Sequence, residues 1–127
     1  MRFVSPPGFP PPAGHYSPVV VSGGFAFVSG QLPVVPETGE RLAGAEIEVQ
    51  ARQVFANIAA ILDAAGSGLD RVVRVTVYLT DIGLWGRFNV AYAEIFGAHR
   101  PARTVVPVPE LHHGVALEVD VIAEAGD

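Results

Sequence analysis

Residues Pro101 to Val106 read Pro-Ala-Arg-Thr-Val-Val, a short β-branched run with one guanidinium near its start. Such residues favour the pleated, half-buried surface of a strand. An arginine is rarely buried without a partner, because an unpaired charge in an apolar interior is costly. A later apolar run, Ala116-Leu117-Glu118-Val119-Asp120-Val121-Ile122, carries carboxylates. Two apolar strands of opposite charge point to one sheet on which the charges meet. Alternation groups Arg103, Val105 and Pro107 on one face, and Glu118, Asp120 and Ile122 on one face. The expectation is that these faces are the same. From the residues alone, a small-molecule site and a structural ion pair at a subunit interface fit the pattern equally well.

The chain has 127 residues, a length that predicts a single domain spanning 1–127. Half of the residues are hydrophobic, and the mean hydropathy of +0.37 is high for a small monomer. No apolar run approaches the roughly 18–20 residues that span a bilayer, so no membrane association is expected. The first residues are one Arg and then prolines, without the apolar core of a signal peptide. Cysteine is absent, which removes disulfides, thiolate metal sites and a Cys nucleophile and fits a cytoplasmic protein. The net charge is −5, with eight basic residues scattered along the chain. A phosphate-tracking basic face is therefore not expected, nor a nucleic-acid partner.

In chain order, Met1 to Gly14 holds five of the eleven prolines and should be extended. Tyr16–Ser22 and Phe25–Ser29 read as strands of a hairpin turned by Gly23-Gly24. Gly30 follows directly, where a glycine turns the chain or lets a ligand approach the backbone. Glu46–Ala65 is the clearest helix: Ile47, Ala51, Val54, Ile58, Ile61 and Ala65 recur at spacings of four and three. Asn57, in its middle, should bond to a nearby loop. Arg71–Thr80 alternates, with Val73, Val75, Val77 and Leu79 directed at the helices. Asp81 can cap a second helix over Leu84–Phe96, with Trp85 near its start. The Arg103 strand, a loop over Glu110–Gly114 and a strand over Val115–Glu124 complete the order β-β-α-β-α-β-β. This is an α/β two-layer sandwich, a mixed sheet covered on one face by two helices. Val105, Tyr78, Ile122, Arg103 and Glu118 are expected on the other face. That face is too apolar to stay wet, so a second copy of the chain should cover it.

The chemistry-bearing residues are few. His15, His99, His112 and His113 lack HExxH or a two-plus-two spacing, so no metal site is expected. No GxSxG, P-loop or GxGxxG occurs, and no cofactor is expected. What is left is water, carboxylates, arginine, hydroxyls and backbone amides. Arg103 can hold a substrate carboxylate in a bidentate fork. Glu118, among apolar neighbours, can act as general base on water. A C=N or C=O beside the carboxylate would then be hydrolysed, with N–H groups near Gly30 or Val105 stabilising the intermediate.

Several segments now fall into a familiar order. They are Gly14-His15-Tyr16-Ser17, Val28-Ser29-Gly30-Gln31, Pro36-Glu37-Thr38-Gly39-Glu40, Gln53 with Asn57, and Thr76-Val77-Tyr78-Leu79-Thr80-Asp81. Phe88-Asn89 with Tyr92, Pro101-Ala102-Arg103-Thr104 and Leu117-Glu118-Val119 follow. In this register, from about Pro11 to Ala123, the chain resembles the reactive intermediate deaminase A family, also called RidA or YjgF. The resemblance implies a chorismate-mutase-like fold, a homotrimer with sites between subunits, and cofactor-independent hydrolysis of 2-imino acids to 2-keto acids and ammonia. A small 2-imino or 2-keto acid is the implied ligand. Arg103 matches the family's carboxylate-binding arginine, and Glu118 the glutamate that positions or activates water. Tyr16, Ser29, Gly30 and Asn89 match pocket positions. Val105 stands where the deaminase-active branch often has Cys, so only its backbone contact carries over. Leu111-His112-His113-Gly114 replaces the family's usual Leu-Pro-Lys-Gly-type turn.

Overall fold

Gly23 and Gly24 turn the chain with φ of +63° and +85°, the backbone a two-residue hairpin demands and glycine adopts without strain. They join β2 (Val19–Ser22) to β3 (Phe25–Gln31), as the sequence predicts. The structure, a computed structural model, describes residues 1–126. Its elements continue with α1 (Ile47–Ala64), β4 (Val72–Leu79), α2 (Trp85–Phe96), β5 (Ala102–Pro107) and β6 (Leu117–Glu124). One strand was not expected. β1, Arg2–Val4, pairs antiparallel with β2 ahead of the prolines. It is short and at the sheet's edge, where a following proline costs no ladder bond.

The six strands run in the order β1-β2-β3-β6-β4-β5. Every pair is antiparallel except β4–β5, whose parallel register is made possible by the crossover through α2. Both helices lie on one face. The apolar stripe of α1 is wider than its periodicity indicates, because Gln50, Phe55 and Leu62 join it. Phe55 meets Tyr92 and Phe96 of α2 edge-on, at centroid separations of 5.6 and 5.4 Å. Gly66 ends α1 at φ +78°, with Ser67 N donating to Leu62 O at 2.8 Å. Arg87 of α2 pairs with Glu46 and Glu48 at the start of α1. Asp81 accepts from Gly83 N at 2.8 Å and caps the single 3-10 turn, Ile82–Leu84, that leads into α2. Asn57 donates to Val34 O at 2.8 Å, the loop contact its position predicts.

Two face assignments change. Val73 is 42% exposed and Val72 is buried. A bulge between Val72 and Arg74 against β6 reverses the alternation at the start of β4. More consequential, Arg103 and Val105 are not on the open face. Opposed residues in a ladder point the same way. Arg103 pairs with Val75 and Val105 with Val77, both buried beneath the helices. Glu118 pairs with Tyr78 and Asp120 with Thr76, on the opposite face. Within one chain Arg103 and Glu118 therefore point to opposite sides of the sheet.

The open face carries a row of paired positions, Phe3, Val20, Phe27, Ile122 and Arg74. Phe3 is 70% and Phe27 45% exposed, an apolar surface of the kind that a partner covers. Among the described residues no helix is long and apolar enough to cross a membrane.

Candidate functional site

Arg103 and Glu118 organise two separate half-sites. The first lies where α2 crosses the edge strand β5. Trp85, Asn89 and Tyr92 recur at spacings of four and three, so α2 presents them on one side. Asn89 Oδ1 accepts from the Arg103 guanidinium at 3.0 Å. The guanidinium carbon sits 4.6 Å from the Tyr92 ring centroid and 5.8 Å from that of Trp85, within cation–π range. Arg103 is thus held by one amide and two aromatic faces, not by the carboxylate expected from charge pairing. Its fork has N–H donors to spare.

Tyr92 is buried, and its hydroxyl has no hydrogen-bond partner among the described residues. Burial pushes the phenol up to about 12, against the pull of the Arg103 charge, so at neutral pH it stays an O–H donor. Asn89, Tyr92 and Arg103 line a cavity of about 440 Å3 that His99 and Arg100 complete. A His99 ring nitrogen lies 2.7 Å from Val72 O and therefore donates to it. Val105 packs against the core. Its side chain is thus structural, and only its backbone, on an edge strand, is left for a ligand.

The second half-site is built around Glu118. The β3–β6 register slips between Val28 and Gln31, which leaves Ser29 and Gly30 bulged opposite one residue of β6. The bulge brings the Gly30 backbone against the Glu118 side chain. A Cβ at Gly30 would collide with the Glu118 carboxylate in this rotamer, so glycine here lets the carboxylate lie against the backbone. Ser29 Oγ donates to Ser17 O at 2.7 Å. That hydroxyl is committed to holding the segment that carries Tyr16. Gly30 and Tyr16 line a cleft of about 350 Å3, closed on one side by the prolines of 10–12 and on another by His113. His113 adopts a left-handed backbone, φ +63°, uncommon for a residue other than glycine and often found at functional turns.

Glu118 has no hydrogen-bond donor in range among the described residues. Burial holds its carboxyl above the usual range; the nearby His112 lowers it, and Asp120 raises it further. Asp120 is also raised by burial, while bonds from Tyr78 and Thr76 oppose the shift. Tyr78 donates to Asp120 at 3.2 Å. Among the described residues, no three of His, Asp or Glu gather in a way that could hold a metal ion.

The raised carboxyl has a consequence for stability. Folding raises the affinity of Glu118 for its proton. Its contribution is full below the unfolded value, near 4.5, and is lost as pH rises through the higher folded value. Glu118→Gln removes that loss. Thermal melts should show the variant gaining on wild type at about pH 8, with the gain shrinking toward about pH 4.

Of the expected site residues, Arg103 and Asn89 meet in the first cluster, with Val105 further along the same strand, β5. Glu118 and Gly30 meet in the second. Tyr16 lines with Gly30 a cleft that Glu118 does not line, and Ser29 bonds to Ser17. Sequence reasoning missed Tyr92 and Trp85 as partners of Arg103; their shared helical spacing with Asn89 was the available signal.

A sequence profile of the family described as endoribonuclease L-PSP matches residues 8–125. A RutC family protein of Pyrococcus horikoshii is 46% identical over 114 residues, covering 90% of this chain and 90% of that protein. The structure of RidA from the Antarctic bacterium Psychrobacter sp. superimposes with a TM-score of 0.91 at 35% identity, covering 98% of this chain and 99% of that one. E. coli TdcF, solved with bound serine, gives 0.91 at 33% identity, covering 99% and 100%. The order of motifs, the six-stranded sheet with its two helices, and these likenesses agree: the chain belongs to the endoribonuclease L-PSP family, which includes the RutC and RidA proteins.

Proposed function

We propose that the protein hydrolyses 2-imino acids to 2-keto acids and ammonia, in a homotrimer whose sites form between copies. One observation carries this reading. Arg103 has spare donors and Glu118 lacks one, yet they face opposite sides of one sheet. In this reading a second copy covers the open face and sets its own Arg103 edge beside Glu118.

Arg103 holds the substrate carboxylate in a fork. That places the adjacent C=N carbon beside Glu118. Ionised Glu118 takes a proton from water as the water oxygen bonds to that carbon. Glu118 returns that proton to nitrogen to give the carbinolamine. The carbinolamine hydroxyl proton then moves through Glu118 to nitrogen as the C–N bond breaks and C=O forms, and ammonia leaves the keto acid behind. The raised affinity of Glu118 for a proton suits a group that must accept it and return it. Gly30 contributes the space in which the carboxylate moves.

The alternative is a protein that binds keto acids without turnover; the serine bound to TdcF supports carboxylate binding as such. The test is a coupled assay in which 2-iminobutanoate is generated enzymatically and its loss is followed. Faster loss with purified protein supports the deaminase. Unchanged loss, with 2-oxobutanoate binding by calorimetry, supports the binding protein. Incubation with single-stranded RNA tests the activity named in the family's description. The net charge of −5 weighs against a strong RNA complex.

A further inference from the structure

The cavity beside Arg103 is more cationic than a small monocarboxylate needs. Among the described residues its charged walls are Arg100 and Arg103, and no Asp or Glu lines it. Among the described residues, neither arginine has a carboxylate at ion-pair distance; the ion pairs present belong to Arg87. Asn89 has its oxygen engaged by Arg103, so its amide N–H groups are what it has left to offer. Buried Tyr92 adds an O–H with no partner. A buried hydroxyl without a bond is costly, and Tyr92 is one of the residues that line the cavity. One carboxylate occupies one bidentate edge of the Arg103 guanidinium. The second guanidinium and the phenol remain without an acceptor, and about 440 Å3 is ample for a longer substrate.

We propose that the preferred ligands carry a second acidic group: 2-imino and 2-keto dicarboxylates, with one carboxylate on Arg103, the distal one at Arg100, and the Tyr92 hydroxyl donating from the wall. This rests on the imine-hydrolysis reading of the same site and names its substrate class. Arg100 is then the residue that sets specificity, since a charged guanidinium in the wall favours a ligand whose far end is anionic.

The test compares 2-oxoglutarate with 2-oxobutanoate by calorimetry and uses the corresponding imines for turnover. Wild type should bind the dicarboxylate about tenfold more tightly. Arg100→Gln should collapse the ratio of the two affinities toward one. Arg52→Gln, an exposed arginine on α1, makes the same change in net charge and should leave the ratio as in wild type. Tyr92→Phe should weaken both ligands. A wild-type ratio near one, or a preference that survives Arg100→Gln, overturns the proposal. If the monocarboxylic imine is turned over without that preference, the proposal falls and the deaminase stands. If the dicarboxylate binds preferentially without turnover, the deaminase falls and the ligand class stands. If neither acid binds and neither imine is lost faster than without protein, both fall.

Discussion

Arg103→Ala lowers kcat/KM for 2-iminobutanoate by about two to three orders of magnitude, the largest effect on activity expected of any single substitution. The guanidinium is held in place before substrate arrives, by the Asn89 oxygen at 3.0 Å and the faces of Tyr92 and Trp85. Substrate therefore meets a fork already oriented, and little ordering is lost on binding. Removing it leaves the substrate carboxylate without its charge-assisted bonds in a partly dehydrated cavity. Arg103→Lys should recover only a fraction, because a lysine cannot stack on Tyr92 and offer two parallel N–H bonds at once. Initial rates across substrate concentration check this. The loss should fall mainly on KM, and circular dichroism should match wild type, because Arg103 is only half-buried.

Phe55→Ala is the substitution with the largest expected cost in stability, about 3–5 kcal/mol. Phe55 is 1% exposed. It wedges between Tyr92 and Phe96, so it joins α1 to the helix that carries the Arg103 platform. The cavity left behind would be bordered by the rigid aromatic rings of α2 and would close poorly. Urea unfolding at fixed protein concentration should show a large drop in midpoint with little change in slope. Phe55→Leu should cost much less. Loss of the Tyr92 contact should also loosen Arg103, so the surviving folded fraction of Phe55→Ala should bind keto acids more weakly.

Much of this architecture was legible in local patterns. The glycine pair announced the hairpin, and spacings of three and four announced α1. The alternation in β4 placed its aliphatic row from Val75 onward. Roles for Arg103 and Glu118 could be proposed because so few other reactive groups exist, and the resemblance to RidA implied a substrate for that proposal. Their relative placement was not legible. Alternation relates faces within a strand, but which face of β5 matches which face of β6 depends on a register passing through β4. No local signal encodes that register. The same holds for Val73, where a bulge reverses the pattern, and for Ser29, whose hydroxyl reads as a pocket group until its bond to Ser17 is seen. β1 was hidden by its length, three residues beside a proline-rich stretch. The Trp85–Arg103–Tyr92 stack escaped because Tyr92 also satisfies the pattern of a core residue.

The opposite orientation of Arg103 and Glu118 permits a direct test of the proposed shared site. At substrate concentrations well below KM, Arg103→Ala and Glu118→Ala should each have almost no activity alone. Mixed in equal amounts and allowed to exchange subunits, they should recover about a quarter of wild-type activity. In a ring of head-to-tail interfaces, each site takes its Arg103 from one copy and its Glu118 from the next; each of the two is intact with a chance of about one half, so both are intact with a chance of about a quarter. Recovery near that level, appearing with the rate of subunit exchange, is the predicted result. A mixture that stays as inactive as its components, after exchange is verified by mass, would contradict a site shared between copies.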